Sequence, residues 1–117
     1  MPFLMLIIEP RGQRAARSAD EAQARYDEMS AFAGQLNERG VLRAAESLRA
    51  DEHGVRVGQV DGRLQLRDGP FAEAKEMVGG FFLLDVASLD EALEIARQCP
   101  AARFATVEVR ECAPCNA

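Results

Sequence analysis

A short apolar run followed at a distance by a serine-led capping box occurs twice in this chain. Phe3-Leu-Met-Leu-Ile-Ile8 precedes Ser18-Ala-Asp-Glu-Ala22, and Phe81-Phe-Leu-Leu84 with Val86 precedes Ser88-Leu-Asp-Glu-Ala92. In such a box the serine hydroxyl and the glutamate carboxylate satisfy free amides of the first helical turn, so each box marks a helix start. An apolar run this short suits a strand buried on both faces better than a helix. The chain is therefore built from two strand–helix halves.

The segments between these landmarks complete the layout. Ala22, Tyr26, Met29, Ala33 and Leu36 recur at steps of four and three and form one stripe of a helix about 20 residues long. Asn37-Glu-Arg-Gly40 stops it, with glycine at the left-handed cap position. A strand is expected within Val41–Leu48. Val55–Val60 and Arg63–Arg67 flank Asp61-Gly62, a two-residue hairpin signal because both positions tolerate positive φ. Asp68-Gly69-Pro70 makes a further turn, and Gly79-Gly80 precedes the second apolar strand. Cys99-Pro100 ends the second helix, and Phe104–Arg110 alternates apolar Ala105, Val107 and Val109 with polar neighbours as a last strand. This order predicts an α+β, ferredoxin-like fold, with two helices covering one face of an antiparallel four-stranded sheet. Residues 1–111 form its single domain and 112–117 a C-terminal tail, a division that suits a chain of 117 residues.

Two helices shield only one sheet face, whereas both apolar runs are greasy on two. A symmetric homodimer packed sheet against sheet would take the second face out of water. At about 25 cal/mol per Å², burying ~400 Å² of apolar area per subunit is worth ~10 kcal/mol before the costs of association.

Charge and composition remove other classes. The net charge of −5, from 19 acidic and 14 basic side chains, opposes direct binding to nucleic acid. The Phe3–Ile8 run has no basic region ahead of it and Glu9 behind it, too short for an export signal or a membrane span, so a cytoplasmic location is expected. One histidine and three cysteines give neither a histidine-rich metal site nor a disulfide framework. No metal or cofactor is expected. Cys112-Ala-Pro-Cys115 could chelate zinc across two tails or cycle as a dithiol, but no helix follows to lower a thiol pKa, and a free tail is the simpler reading. His53, in the turn Asp51-Glu-His-Gly54, reads as a solvated surface group.

The densest polar segment is Asp68-Gly-Pro-Phe-Ala-Glu-Ala-Lys-Glu76. A partly buried pair among Asp68, Glu73 and Glu76 could serve as general acid and base, with Lys75 tuning one member. Phe71 and Lys75 could face a ligand, as could Tyr26 and Met29 on the first helix. Equally, Asp68 caps its turn, Phe71 plugs the core and the charged residues lie on a solvated helical turn. Arg11, Arg14 and Arg17 crowd the loop before Ser18 and could form an anion site or a solvated connection. No phosphate loop, dinucleotide fingerprint or nucleophile elbow is present.

Asp68-Gly-Pro-Phe71 with Ala-Glu-Ala-Lys-Glu76, then Gly79-Gly80, Leu89-Asp-Glu-Ala92 and Pro100-Ala-Ala-Arg103, resembles the DGPF-type branch of the YCII-related proteins across nearly the whole chain. The resemblance implies a dimeric α+β barrel of ferredoxin-like subunits. It also implies a small-molecule-binding or accessory role, with association to a sigma factor. In the wider family a helix histidine and an aspartate are proposed as acid–base machinery; here that histidine's position is Met29, which cannot move a proton. The resemblance therefore favours binding over the alternative, a cofactor-independent lyase, isomerase or hydrolase that would use Asp68 with Glu73 or Glu76.

Overall fold

The computed structural model describes all 117 residues. Nine elements follow one another: β1 (Phe3–Pro10), α1 (Gln13–Ala16), α2 (Ala19–Glu38), β2 (Leu42–Ser47), β3 (Val55–Val60), β4 (Arg63–Asp68), β5 (Glu76–Leu84), α3 (Leu89–Gln98) and β6 (Thr106–Glu111). Both capping boxes start helices as expected. Ser18 Oγ accepts from the Glu21 amide at 3.1 Å and Ser88 Oγ from the Glu91 amide at 3.2 Å. Gly40, at φ 72°, ends α2 in the left-handed conformation.

The main sheet runs β2-β5-β1-β6, with every neighbouring pair antiparallel. This order, with α2 and α3 as crossovers, is compatible with a ferredoxin-like fold. The β3–β4 hairpin is a separate two-stranded sheet inserted between β2 and β5. Its turn is the expected Asp61-Gly62 pair, at φ 51° and 78°.

Strand alternation decides which side chains reach the core. Phe3, Met5 and Ile7 of β1 and Phe82 and Leu84 of β5 share the helix-facing side and are buried there. They meet Phe32 and Leu36 of α2 and Ala92, Ile95 and Ala96 of α3, and the rings of Phe32 and Phe82 stand edge to face at 5.6 Å. Cys99 closes this core as a small hydrophobe, and burial pushes its thiol pKa up. The intervening residues, Leu4, Leu6 and Ile8 opposite Leu83, Phe81 and Val78, occupy the other face. Within one chain these are half-buried at best, so the two-sided burial expected of the Phe3–Ile8 run is only alternate.

Two further departures are local. The loop before Ser18 contains the short helix α1, which follows Gly12 at φ 86°. The N-terminal half of the α2 stripe is not core: Tyr26 is 62% exposed, and only Phe32 and Leu36 of this helix are buried. Below this half the sheet presents Gly79, Gly80 and the Glu9–Arg14 pair beside Ile7 and Phe82, and a cavity lies between helix and sheet.

The chain spans 47 × 42 × 18 Å with a radius of gyration of 16.0 Å, where a compact chain of this length gives ~13 Å. The hairpin contributes to this spread, for every residue of its two strands is exposed. One of its faces carries Val55, Val57, Leu64 and Leu66; the other carries Arg56 and Arg67. These two guanidinium groups lie 3.7 and 5.2 Å from the ring centroid of Phe71, which is 5% exposed. Glu73 accepts from both, at 3.4 Å from Arg56 and 2.5 Å from Arg67. Its own backbone amide first, and then the Arg67 bond, hold its carboxyl below the usual range.

Phe71 thus pins the hairpin base from outside the main core. Phe71→Ala is expected to cost ~3 kcal/mol in chemical denaturation and to speed amide exchange across β3 and β4. A loss under ~1 kcal/mol, with hairpin exchange unchanged, would contradict this role.

Candidate functional site

Between β1 and α2, successive polar side chains tie separate parts of the fold together. Arg11 donates from Nη1 to the Phe71 carbonyl at 2.6 Å, and its Nε lies 3.3 Å from Asp51 Oδ2. Gln13 donates to the Phe104 carbonyl at 2.6 Å. Arg14 donates from Nε to Glu9 Oε1 at 2.5 Å, from Nη1 to the Leu48 carbonyl at 2.7 Å and from Nη2 to the Gly79 carbonyl at 3.3 Å. The hairpin base, the approach to β6 and the ends of β1, β2 and β5 are therefore held by one short segment. Arg11 and Arg14 form neither of the arrangements expected of this loop: their charges are spent on Asp51 and Glu9, not on an anion or on water.

Glu9 is 7% exposed and is the one buried charged residue of the chain. A buried carboxylate persists only where a cation and hydrogen bonds replace its lost hydration, and Arg14 supplies both. The β1–β5 register makes room for it. Ile7 faces Gly80 and Ile8 faces Val78, so Gly79 is an extra residue in β5. A Cβ on Gly79 would lie 2.1 Å from Glu9 Oε2 and 3.0 Å from Arg14 Nη2. Glycine is required there by the close approach of the ion pair.

Above this pair lies a cavity of about 510 Å³ between the N-terminal half of α2 and the sheet, a volume in the range that takes a small organic molecule. Ile7, Met29, Ala33, Phe82 and Phe104 give it apolar walls, and Tyr26, Ser30 and Ser47 bring hydroxyls. Arg14, Arg17 and Arg25 are its cations and Glu9 and Glu46 its acids. Glu46 pairs in register with Phe81, and so with Leu6, on the sheet face away from the helices. The acid facing the cavity is thus Glu9, already engaged by Arg14.

The residues singled out in the sequence separate into two groups. Tyr26 and Met29 both line the cavity. Asp68, Phe71, Glu73, Lys75 and Glu76 do not. Asp68 ends β4 in the ladder with Val55, and it is exposed. Phe71 and Glu73 belong to the hairpin clamp, while Lys75 and Glu76 are exposed where β5 begins, Lys75 accepting from the Arg11 amide through its carbonyl at 3.0 Å. None of the three carboxylates Asp68, Glu73 and Glu76 reaches this cavity. Within the Asp68–Phe71 motif, Gly69 packs so closely on the 51–53 turn that a Cβ there would overlap the Asp51 carbonyl, at 1.8 Å. His53 is exposed beside Glu52, at 3.6 Å. Cys112 and Cys115 are free thiols, and no three His, Cys, Asp or Glu side chains gather as a metal site. No helix is long and apolar enough to cross a membrane.

Glu9 and Arg25 carry no local signal of a site, whereas Arg17 belongs to the loop arginines for which an anion site is one of two expectations. Glu9 closes an apolar run, Arg17 sits among other loop arginines, and Arg25 is one turn from the stripe residue Met29. Position in the fold alone makes them neighbours of one cavity.

A family model described as the YCII-related domain matches residues 1–116. An uncharacterized protein from Rhizobium meliloti (strain 1021) is 34% identical over 97 residues, which span 83% of this chain and 78% of that protein.

The Gly79 contact gives a paired test by thermal and chemical denaturation. Gly79→Ala should destabilise by ~1–3 kcal/mol, since the carboxylate it meets is pinned and cannot swing aside. Gly34→Ala, on α2 with open space around its Cβ, should stabilise by ~0.5–1 kcal/mol. Equal stability of Gly79→Ala and the unaltered protein would contradict the packing described.

Proposed function

This chain belongs to the YCII-related family, and on that premise we propose that it is a dimeric small-molecule-binding protein whose cavity beneath α2 holds an organic ligand. The observation that carries this reading is the cavity itself, with apolar walls, the hydroxyl groups of Tyr26, Ser30 and Ser47, and guanidinium groups around one space. Its lining favours binding over turnover. A lyase, isomerase or hydrolase needs an acid or base free to take a proton from its substrate, and the carboxylate facing this cavity is held by Arg14. Met29 stands in the wall where the wider family's resemblance places a histidine.

The homodimer is part of the same proposal. Leu4, Leu6, Ile8, Phe81 and Leu83 form a continuous apolar surface on the face that α2 and α3 leave open. A second copy packed on this face would bury both sets in one self-complementary contact and build the α+β barrel. The Asp68–Phe71 motif adds an accessory role of the DGPF type, beside a cytoplasmic sigma factor. That role would act through protein contact, because a chain with a net charge of −5 is repelled by nucleic acid.

Ser30 is exposed and lies on the α2 side of the cavity. Ser30→Trp should therefore block the cavity without touching the core. Compounds that perturb amide signals of α2 and β5 in the unaltered protein should bind at least about tenfold more weakly to this variant. Unchanged binding would contradict the assignment of the site. For the dimer, light scattering should give twice the 12.8 kDa chain mass at micromolar concentration, and Leu83→Glu should give the single chain. A monomeric unaltered protein would contradict the dimer.

A further inference from the structure

Three arginines line the cavity, and they differ in what they already hold. Arg14 is bound to Glu9. Arg17 and Arg25 have no carboxylate within salt-bridge distance, although each is half-buried and the chain is acidic overall. The Arg25 guanidinium lies 4.2 Å over the Phe104 ring, and its Nη1 is buried without any acceptor. Of the two acids one turn away, Glu28 is taken by Arg103 and Glu21 is exposed and outside salt-bridge distance. A guanidinium that is packed on an aromatic ring and lacks an acceptor has lost part of its hydration without replacement. Both are arranged around a space whose remaining wall is mainly apolar: Ile7, Met29, Ala33, Phe82 and Phe104.

We infer that the ligand is an organic carboxylate with an apolar or aromatic body, its carboxylate received by Arg17 and Arg25 and its body lodged against Met29, Ala33 and Phe104. The inference rests on the cavity being the binding site, as proposed above, and adds the chemical class of the ligand. Planar guanidinium forks match a carboxylate in two-point hydrogen bonding. Glu9 on the floor disfavours a more highly charged phosphate, and the apolar wall offers nothing to the extra oxygens. A neutral compound offers the Arg25 donor at most an uncharged acceptor and leaves both guanidinium charges unpaired.

The test compares 4-phenylbutyrate with its amide, 4-phenylbutyramide, by isothermal titration, with inorganic phosphate as competitor. The acid should bind at least about tenfold more tightly than the amide, the scale of one charge-assisted contact. In the double variant Arg17→Gln, Arg25→Gln this preference of acid over amide should vanish, and Arg17→Lys, Arg25→Lys should retain part of it. Equal affinity for acid and amide, no binding of either, acid preference surviving in the glutamine variant, or displacement by inorganic phosphate would each overturn the inference. Ser30→Trp separates the two levels. If it abolishes binding of neutral compounds while the acid shows no advantage, the cavity is the site and the ligand class is wrong. If it leaves acid binding unchanged, the site itself is wrong.

Discussion

The Arg14–Glu9 ion pair is the constraint around which the rest of this structure is arranged. One guanidinium reaches the end of β1 through Glu9, the exit of β2 through the Leu48 carbonyl and the middle of β5 through Gly79. Arg11 and Gln13, its neighbours in sequence, fasten the hairpin base and the approach to β6. A charge pair cannot be crushed flat like a pair of leucines, because both members keep their hydrogen bonds only at fixed geometry. Beneath the first half of α2 the sheet carries Gly79, Gly80 and this pair, small or polar groups that leave room for a cavity beside Ile7 and Phe82. The second half of the helix, at Phe32 and Leu36, is buried in the core.

The same sheet makes different use of its two faces. On the helix side, large side chains from β1 and β5 meet α2 and α3 in a single core. On the other side an apolar patch of comparable residue types is covered by nothing within the chain, and the dimer proposed for it follows from the cost of leaving it wet. The hairpin adds a second exposed aliphatic strip, Val55, Val57, Leu64 and Leu66. Its opposite face is tied down by Arg56, Arg67 and Phe71, so the ribbon keeps its place even though two strands alone are marginal in water.

Much of the fold was legible because its signals are local. The serines of the two capping boxes, Gly40 and Asp61-Gly62 each act over three or four residues, and each does in the structure what its chemistry dictates. Strand alternation in β1 placed Phe3, Met5 and Ile7 together. The site was legible through Tyr26 and Met29, which the α2 stripe carries into the cavity wall, and through the loop arginines, of which Arg14 and Arg17 line it. The placement of its charged members depends on contacts across the chain, such as Arg14 with Leu48, 34 positions apart, and Arg14 with Gly79, 65 apart. Such pairings leave no periodic trace. The density of charge from Asp68 to Glu76 drew attention to a segment whose residues the fold distributes between a turn, the hairpin clamp and the start of β5. Its glycine and phenylalanine serve packing, against Asp51 and under Arg56.

The central claim is that the binding site lies between the N-terminal half of α2 and the sheet. Intermolecular nuclear Overhauser effects from bound 4-phenylbutyrate, with selectively labelled methionine, valine, leucine and phenylalanine, test it most directly. The account predicts contacts from the ligand ring to the Met29 methyl group and the Phe104 ring. Contacts confined to Val57, Leu64 and Leu66 of the hairpin, with Met29 silent at saturation, would contradict it.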